Sequence, residues 1–203
     1  MTGVDPAARE VRTDEGPLSY DHLVVALGHA LDHDAVDGLS VAPDDVYPFY
    51  DPAAARALGD GLESVVDGAI EEPVRLVVTE PDTPVSCGGA ALKLAMLTED
   101  YLSDCGVACD AVVAGPDTTV FGTGRKARYD TLVSRLFENR SVRYVSEFET
   151  VEVDREAGRV RTADGRTLEF DLCATVSPQR CPPVLTEHSP LTADRRGRAS
   201  SGH

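Results

Sequence analysis

The 203-residue sequence contains no tryptophan, and aromatic residues make up only 5% of it. Lysine is nearly missing as well. Lys93 and Lys126 are the two lysines, so arginine supplies almost all of the 19 basic residues. Against these stand 35 acidic residues, for a formal net charge of −16. That balance argues against nucleic-acid binding, which draws on Lys and Arg to displace counterions from phosphates. The excess of Asp and the preference for Arg read as a halophilic adaptation, because concentrated salt screens the self-repulsion of such a surface. No run of about 18 apolar residues occurs, so no membrane-spanning helix is expected. No stretch has the basic amphipathic face of a helix that lies on a membrane. No secretory leader is expected ahead of the odd set of five cysteines, at positions 87, 105, 109, 173 and 181. The expectation is therefore a reducing, cytoplasmic compartment rather than a secreted disulfide framework. A G-x-G-x-x-G loop, an H-E-x-x-H pair and a Ser-His-Asp arrangement are all missing, and the five histidines are scattered.

What is present is enough to build a core, with 42% apolar residues. Glu10–Thr13, a turn at Asp14-Glu15-Gly16, and then Leu18 and Tyr20 form a hairpin pattern. His22–Leu27 is a continuous apolar run and reads as a buried strand ended by Gly28. Residues 29–50 are rich in Asp, Pro and Gly and read as a loop. Asp51-Pro52 opens a helix, with Asp51 as N-cap and Ala54, Leu58, Leu62 and Val65 on one face. Strands follow at Val74–Thr79, Ala108–Ala114 and Val142–Val145, with helices over Leu92–Leu102 and Tyr129–Asn139 between them. The last helix carries Leu132, Val133, Leu136 and Phe137 on its apolar side. Three short alternating runs come next, Phe148–Val153, Arg159–Thr162 and Thr167–Phe170, and the Asp164-Gly165 turn is a strong hairpin signal. Leu172–Val176 is one more buried strand before a proline-rich tail. Alternating β and α elements followed by a run of strands predict an α/β fold. It is Rossmann-like, of the FAD/NAD(P)-binding type, with a parallel sheet and a small antiparallel β-meander.

Chemistry is expected at the carboxyl ends of parallel strands, and Cys87 lies there, after Val74–Thr79 and a proline-bounded turn. It stands just before a helix N-terminus, where the dipole and open amides favour a thiolate. Lys93, one to two turns into that helix, adds positive charge. A buried, inert thiol is the ordinary alternative. The loop reads TEPDTPVSCGGAA. It lacks the glycine spacing of a dinucleotide site, and its prolines remove amide donors. Gly122-x-Gly124 reads as a plain loop. Cys105 and Cys109 lack the further ligands of a metal site. Cys173 reads as core, and Cys181 lies in the proline-rich loop.

These residues resemble the sulfide:quinone oxidoreductase family, within the flavin-dependent pyridine nucleotide-disulfide oxidoreductase superfamily, and the resemblance runs along nearly the whole chain. YDHLVVALG (Tyr20–Gly28) looks like the strand Y-D-x-L-V-I-A-x-G that closes the first flavin-domain segment. TPVSCGGAALK (Thr83–Lys93) is similar to T-P-x-K-C-x-G-A-P-x-K, which carries one of two redox cysteines. Val120–Gly122 resembles the segment that follows. TVSPQRCPPVLTEHSPLTADRRGR (Thr175–Arg198) resembles the return to the flavin domain. In this sequence Ala91 replaces the motif proline, Ser86 replaces the basic residue before the cysteine, and Ser177-Pro178 replaces a proline pair.

The resemblance implies catalysis at Cys87 and cofactor contacts at Gly28 and Lys93. It implies FAD as cofactor, sulfide as electron donor and a quinone as acceptor, and peripheral association with the inner face of the cell membrane. It also implies a central fragment of an incomplete two-domain flavoprotein. Residues 1–30 would be a partial FAD-domain segment, 31–170 the NAD(P)-binding-like domain, and 171–203 a partial return to the FAD domain. The ADP-binding loop, the second redox cysteine and the quinone segment would come from elsewhere, for instance from a complementing chain; Cys181 does not match the second position. Two other readings stand beside this one. One is a degenerate, non-catalytic α/β module, and the other is a flavin-dependent NADH:quinone-type dehydrogenase.

Overall fold

The computed structural model describes residues 1–39, 45–68, 72–121 and 129–190. In chain order the elements are β1 (Gly3–Asp5), β2 (Glu10–Thr13), β3 (Gly16–Ser19), β4 (Ala30–Leu31), β5 (Val46–Pro48), α1 (Pro52–Asp67), β6 (Val74–Thr79), α2 (Ala90–Asp104), β7 (Cys109–Ala114), α3 (Asp130–Glu138), β8 (Val142–Val145), β9 (Thr150–Asp154), β10 (Arg159–Thr162), β11 (Thr167–Glu169), β12 (Leu172–Thr175), β13 (Gln179–Arg180) and α4 (Pro183–Thr186). A short 3-10 turn covers His33–Ala35. The chain folds into two compact units, Met1–Asp32 with the chain from Gln179 onward, and His33–Pro178.

The larger unit is built on a five-stranded sheet in the order β5-β12-β6-β7-β8, parallel throughout. Successive side chains on a strand point to opposite faces, and here both faces are apolar. On one face Leu76, Val78, Ala111, Val113, Leu172 and Ala174 meet the helices through Leu58, Leu92, Leu102, Val133 and Phe137. On the other face Val46, Val77, Val112 and Cys173 meet Phe148, Val153, Val160 and Phe170. These last residues belong to, or flank, the antiparallel meander β11-β10-β9. Phe148 is 1% exposed, with the Arg166 guanidinium 5.3 Å above its ring. An α/β fold with a parallel sheet and a small meander is what the element pattern predicts.

Helix α1 begins where the Asp-Pro pair places it. The Asp51 carboxylate accepts from the Ala53 and Ala54 amides at 2.8 and 3.1 Å, and Pro52 occupies the first helical position. Helix α3 turns its apolar side differently from the expectation. Val133 and Phe137 are buried, but Leu132 and Leu136 are 57% and 41% exposed. The four residues are too wide a set for a nine-residue helix that packs along one line.

Two further readings are corrected. Residues 29–50 are not all loop, because Val46–Pro48 is the edge strand β5. Its proline hides it in the sequence, and an edge position tolerates a residue that cannot donate to a ladder. Residues 171–178, read as the start of the return segment, fall in the larger unit, with β12 inside the sheet between β5 and β6.

In the smaller unit β1, β2 and β3 form an antiparallel meander, with Val11 opposite Val4 and Leu18. The expected strand His22–Leu27 is not formed. Residues 23–29 take no regular structure, and Val24 is 88% exposed. A buried parallel strand needs neighbours to take its amides and carbonyls, and among the described residues none pairs with this run. Gly28 lies in it at φ +70. Strands β4 and β13 form a short antiparallel pair.

Replacement D51A removes the α1 cap. It should lower stability by about 1 kcal/mol, read as a drop of about 2–4 °C in the thermal midpoint.

Candidate functional site

Parallel strands place their carboxyl ends at one edge of the sheet, and the loops leaving that edge form the candidate site. Strand β6 ends at Thr79, and residues 80–89 cross to α2. The Thr79 hydroxyl donates to the Thr175 hydroxyl at 2.8 Å, tying the ends of β6 and β12 together. The Glu80 amide donates to the Ala114 carbonyl at 2.9 Å, which extends the β6–β7 ladder one step beyond the strand.

Cys87 is exposed near the end of this crossover. Its carbonyl accepts from the Ala90 amide at 3.1 Å and from the Tyr50 hydroxyl at 3.4 Å. The first contact bends the chain into α2, and the second ties the loop to the segment after β5. Helix α2 starts on Gly89, which has no side chain to cap its leading amides. Lys93 lies in the first turn, and its Nζ donates to Cys87 Sγ at 3.6 Å. The structure thus brings together the thiol and the lysine chosen from sequence. Gly28 belongs to the other unit, and a Cβ there would meet nothing within 4 Å.

The remaining thiols divide by burial. Burial, with the Glu99 and Asp110 charges, pushes Cys109 up to about 12. Burial also pushes Cys173 up to about 12, with a small opposing pull from Arg155. Cys105 is exposed at the end of α2, and Cys181 is half-buried in the smaller unit. Among the described residues no group of three or more His, Cys, Asp or Glu is placed to hold a metal ion.

Sequence reasoning did not find Glu80. Its carboxyl is half-buried, and burial first, then the Asp117 charge, push it up to about 7. Gly115 makes the space for it. A Cβ at Gly115 would lie 3.0 Å from Glu80 Oε2 and 2.5 Å from the Tyr144 hydroxyl. That hydroxyl donates to the Asp117 carbonyl at 3.3 Å, and burial with the charges of Glu80 and Asp117 raises its pKa. Glu80 lines a cavity of about 290 Å³ together with Pro81, Pro84, Val85, Gly88 and Phe121. It also lines a smaller one of about 140 Å³ that reaches Thr79, Thr150 and Thr175. An acidic residue directly after the strand that carries Leu76, Val77 and Val78 was the available signal.

No family model matches the chain. It is 27% identical to the mitochondrial sulfide:quinone oxidoreductase of Mus musculus over 205 residues, which covers 96% of this chain and 43% of that protein. The chain is similar to the sulfide:quinone oxidoreductases. The sulfide:quinone oxidoreductase structure from Aquifex aeolicus shares its fold, with a TM-score of 0.68 at 19% identity, over 95% of this chain and 44% of that one. A FAD-dependent pyridine nucleotide-disulphide oxidoreductase from Desulfovibrio vulgaris aligns with a TM-score of 0.52 at 22% identity, over 96% of this chain and 46% of that one. The chain spans less than half the length of each of these three proteins.

The crossover after β6 holds Pro81 and Pro84 where a dinucleotide loop would offer glycine amides, so this crossover does not fit a dinucleotide pyrophosphate.

The raised Glu80 carboxyl makes stability depend on pH with a definite sign. The folded state holds the proton between the ordinary value of 4.5 and about 7, so stability falls as pH rises through that window. In E80Q that fall should flatten, leaving the variant about 1–3 kcal/mol more stable than the parent at pH 8, as measured by denaturant unfolding.

Proposed function

We propose that this chain carries the Cys87 half of a sulfide-oxidising flavoprotein oxidoreductase of the sulfide:quinone type. The observation that carries the reading is the pairing of Cys87 Sγ with Lys93 Nζ at 3.6 Å, at the mouth of a strand-to-helix crossover. An ammonium at that distance favours a thiolate over a thiol. Such a thiolate enters a disulfide readily by exchange, and the disulfide is the form in which Cys87 meets sulfide.

The step assigned to Cys87 is sulfur uptake. Cys87 begins as a disulfide with a second cysteine. Hydrosulfide attacks Cys87 Sγ, a new S–S bond forms there as a persulfide, and the second cysteine leaves as thiolate. The second cysteine would come from a complementing chain or a further segment. FAD and a quinone, the electron acceptors in this reading, would be held by polypeptide beyond the described residues. The same reading puts the protein in the cytoplasm, at the inner face of the cell membrane.

A second reading, a non-catalytic α/β module, draws on the crossover after β6, where Pro81 and Pro84 stand in place of glycine amides. The reactivity of Cys87 separates the two. With iodoacetamide near neutral pH, Cys87 should react faster than Cys105. K93M should slow Cys87 by about 3- to 10-fold and leave Cys105 unchanged. Equal rates at both thiols, unmoved by K93M, favour the module. A second expectation concerns colour. The purified 203-residue chain should carry no flavin absorption band, and a yellow protein would contradict the assignment of FAD to other polypeptide.

A further inference from the structure

Glu80 has a role that cysteine chemistry alone does not supply. A thiol-type sulfur attacks a sulfur–sulfur bond as its anion, and hydrogen sulfide that arrives neutral must first lose a proton. A base suited to that task stands within hydrogen-bond reach of the proton and titrates near the working pH. Glu80 is the first residue of the loop that carries Cys87, anchored by its amide to Ala114. Its carboxyl lines the 290 Å³ cavity that Gly88, the neighbour of Cys87, also lines. The other walls of that cavity, among the described residues, are mixed: Asp117 and Thr83 stand beside Pro81, Pro84, Val85 and Phe121.

The groups facing Glu80 are Asp117 after β7, Tyr144 on β8, Asp82 on its own loop and Glu149 ahead of β9. Among the described residues Glu80 makes no ion pair, so no cation holds it ionised. Burial and Asp117 bring its titration to about 7, close to neutrality.

We infer that Glu80 is a catalytic residue, the base that takes the proton of hydrogen sulfide in this cavity before the sulfur reaches Cys87. One S–H bond breaks and an O–H bond forms on the Glu80 carboxylate. The electron pair stays on sulfur, and the resulting hydrosulfide attacks the sulfur–sulfur bond at Cys87. This inference rests on Cys87 being the sulfide-accepting sulfur.

The test uses the full 203-residue chain with C105S and C181S, which leaves Cys87 as the accessible thiol. Cys87 is converted to a mixed disulfide with thionitrobenzoate, whose release on attack is followed by absorbance. Two nucleophiles are compared: sulfide, and a neutral tertiary phosphine that has no proton to lose. Near neutral pH, E80Q should slow the sulfide reaction by at least about 10-fold and the phosphine reaction by less than about twofold. The sulfide deficit should vanish by about pH 9, where sulfide is already the anion, and E80D should restore part of the neutral-pH rate. Three results would overturn the inference: equal losses with both nucleophiles, no loss with sulfide, or a deficit that persists at high pH. A separate result bears on Cys87 itself. If parent Cys87 in mixed-disulfide form reacts with sulfide no faster than a labelled Cys105 in a C87S chain, the reading of Cys87 fails and this inference goes with it.

Discussion

Two parallel ladders, β6 with β12 and β6 with β7, hold the larger unit together. Residues that pair across β6 and β12 are 96 positions apart in sequence, so the sheet closes only when the whole unit has folded. Because β6 is buried on both faces, helices must cover one side and the meander the other. The buried set Leu76, Val77 and Val78 shows this directly, since consecutive residues belong to opposite cores. The position of every loop at the carboxyl edge follows from those ladders.

That edge is where the fold accepts groups it would elsewhere exclude. A carboxyl packed over Gly115, beside Asp117 and the Tyr144 hydroxyl, is an unfavourable arrangement when ionised. A core would replace it with an apolar side chain at little cost. Its presence one residue past a central strand of the sheet, at the root of the Cys87 loop, is the type of local conflict that marks functional sites. The Cys87–Lys93 pair is the opposite case, mutually favourable and set in solvent, where its reach is short but its reactivity is open to a reactant.

Much of the fold was legible because its signals are local. The apolar runs of β6, β7 and β8, the Asp51-Pro52 helix start and the Asp164-Gly165 turn each act within a few residues. The Cys87–Lys93 pair was legible for the same reason: six positions that span a helix start place both groups at one end of α2. What escaped was non-local. The carboxyl of Glu80 takes its character from Gly115, Asp117 and Tyr144, which β7 and β8 deliver. Strand β5 was hidden by its proline and by a partner, β12, more than a hundred residues away. The run His22–Leu27 misled in the other direction. Its apolar continuity is that of a buried strand, but continuity says nothing of where pairing partners are to be found.

The burial of Cys109 and Cys173 has a consequence for any encounter with reactive sulfur. Polysulfides and persulfides exchange with thiolates, and a thiol held near 12 offers almost none at neutral pH. The sheet therefore shields Cys109 and Cys173, while Cys87 beyond its edge stays exposed. Core packing at β7 and β12 serves as a chemical insulator for these two thiols.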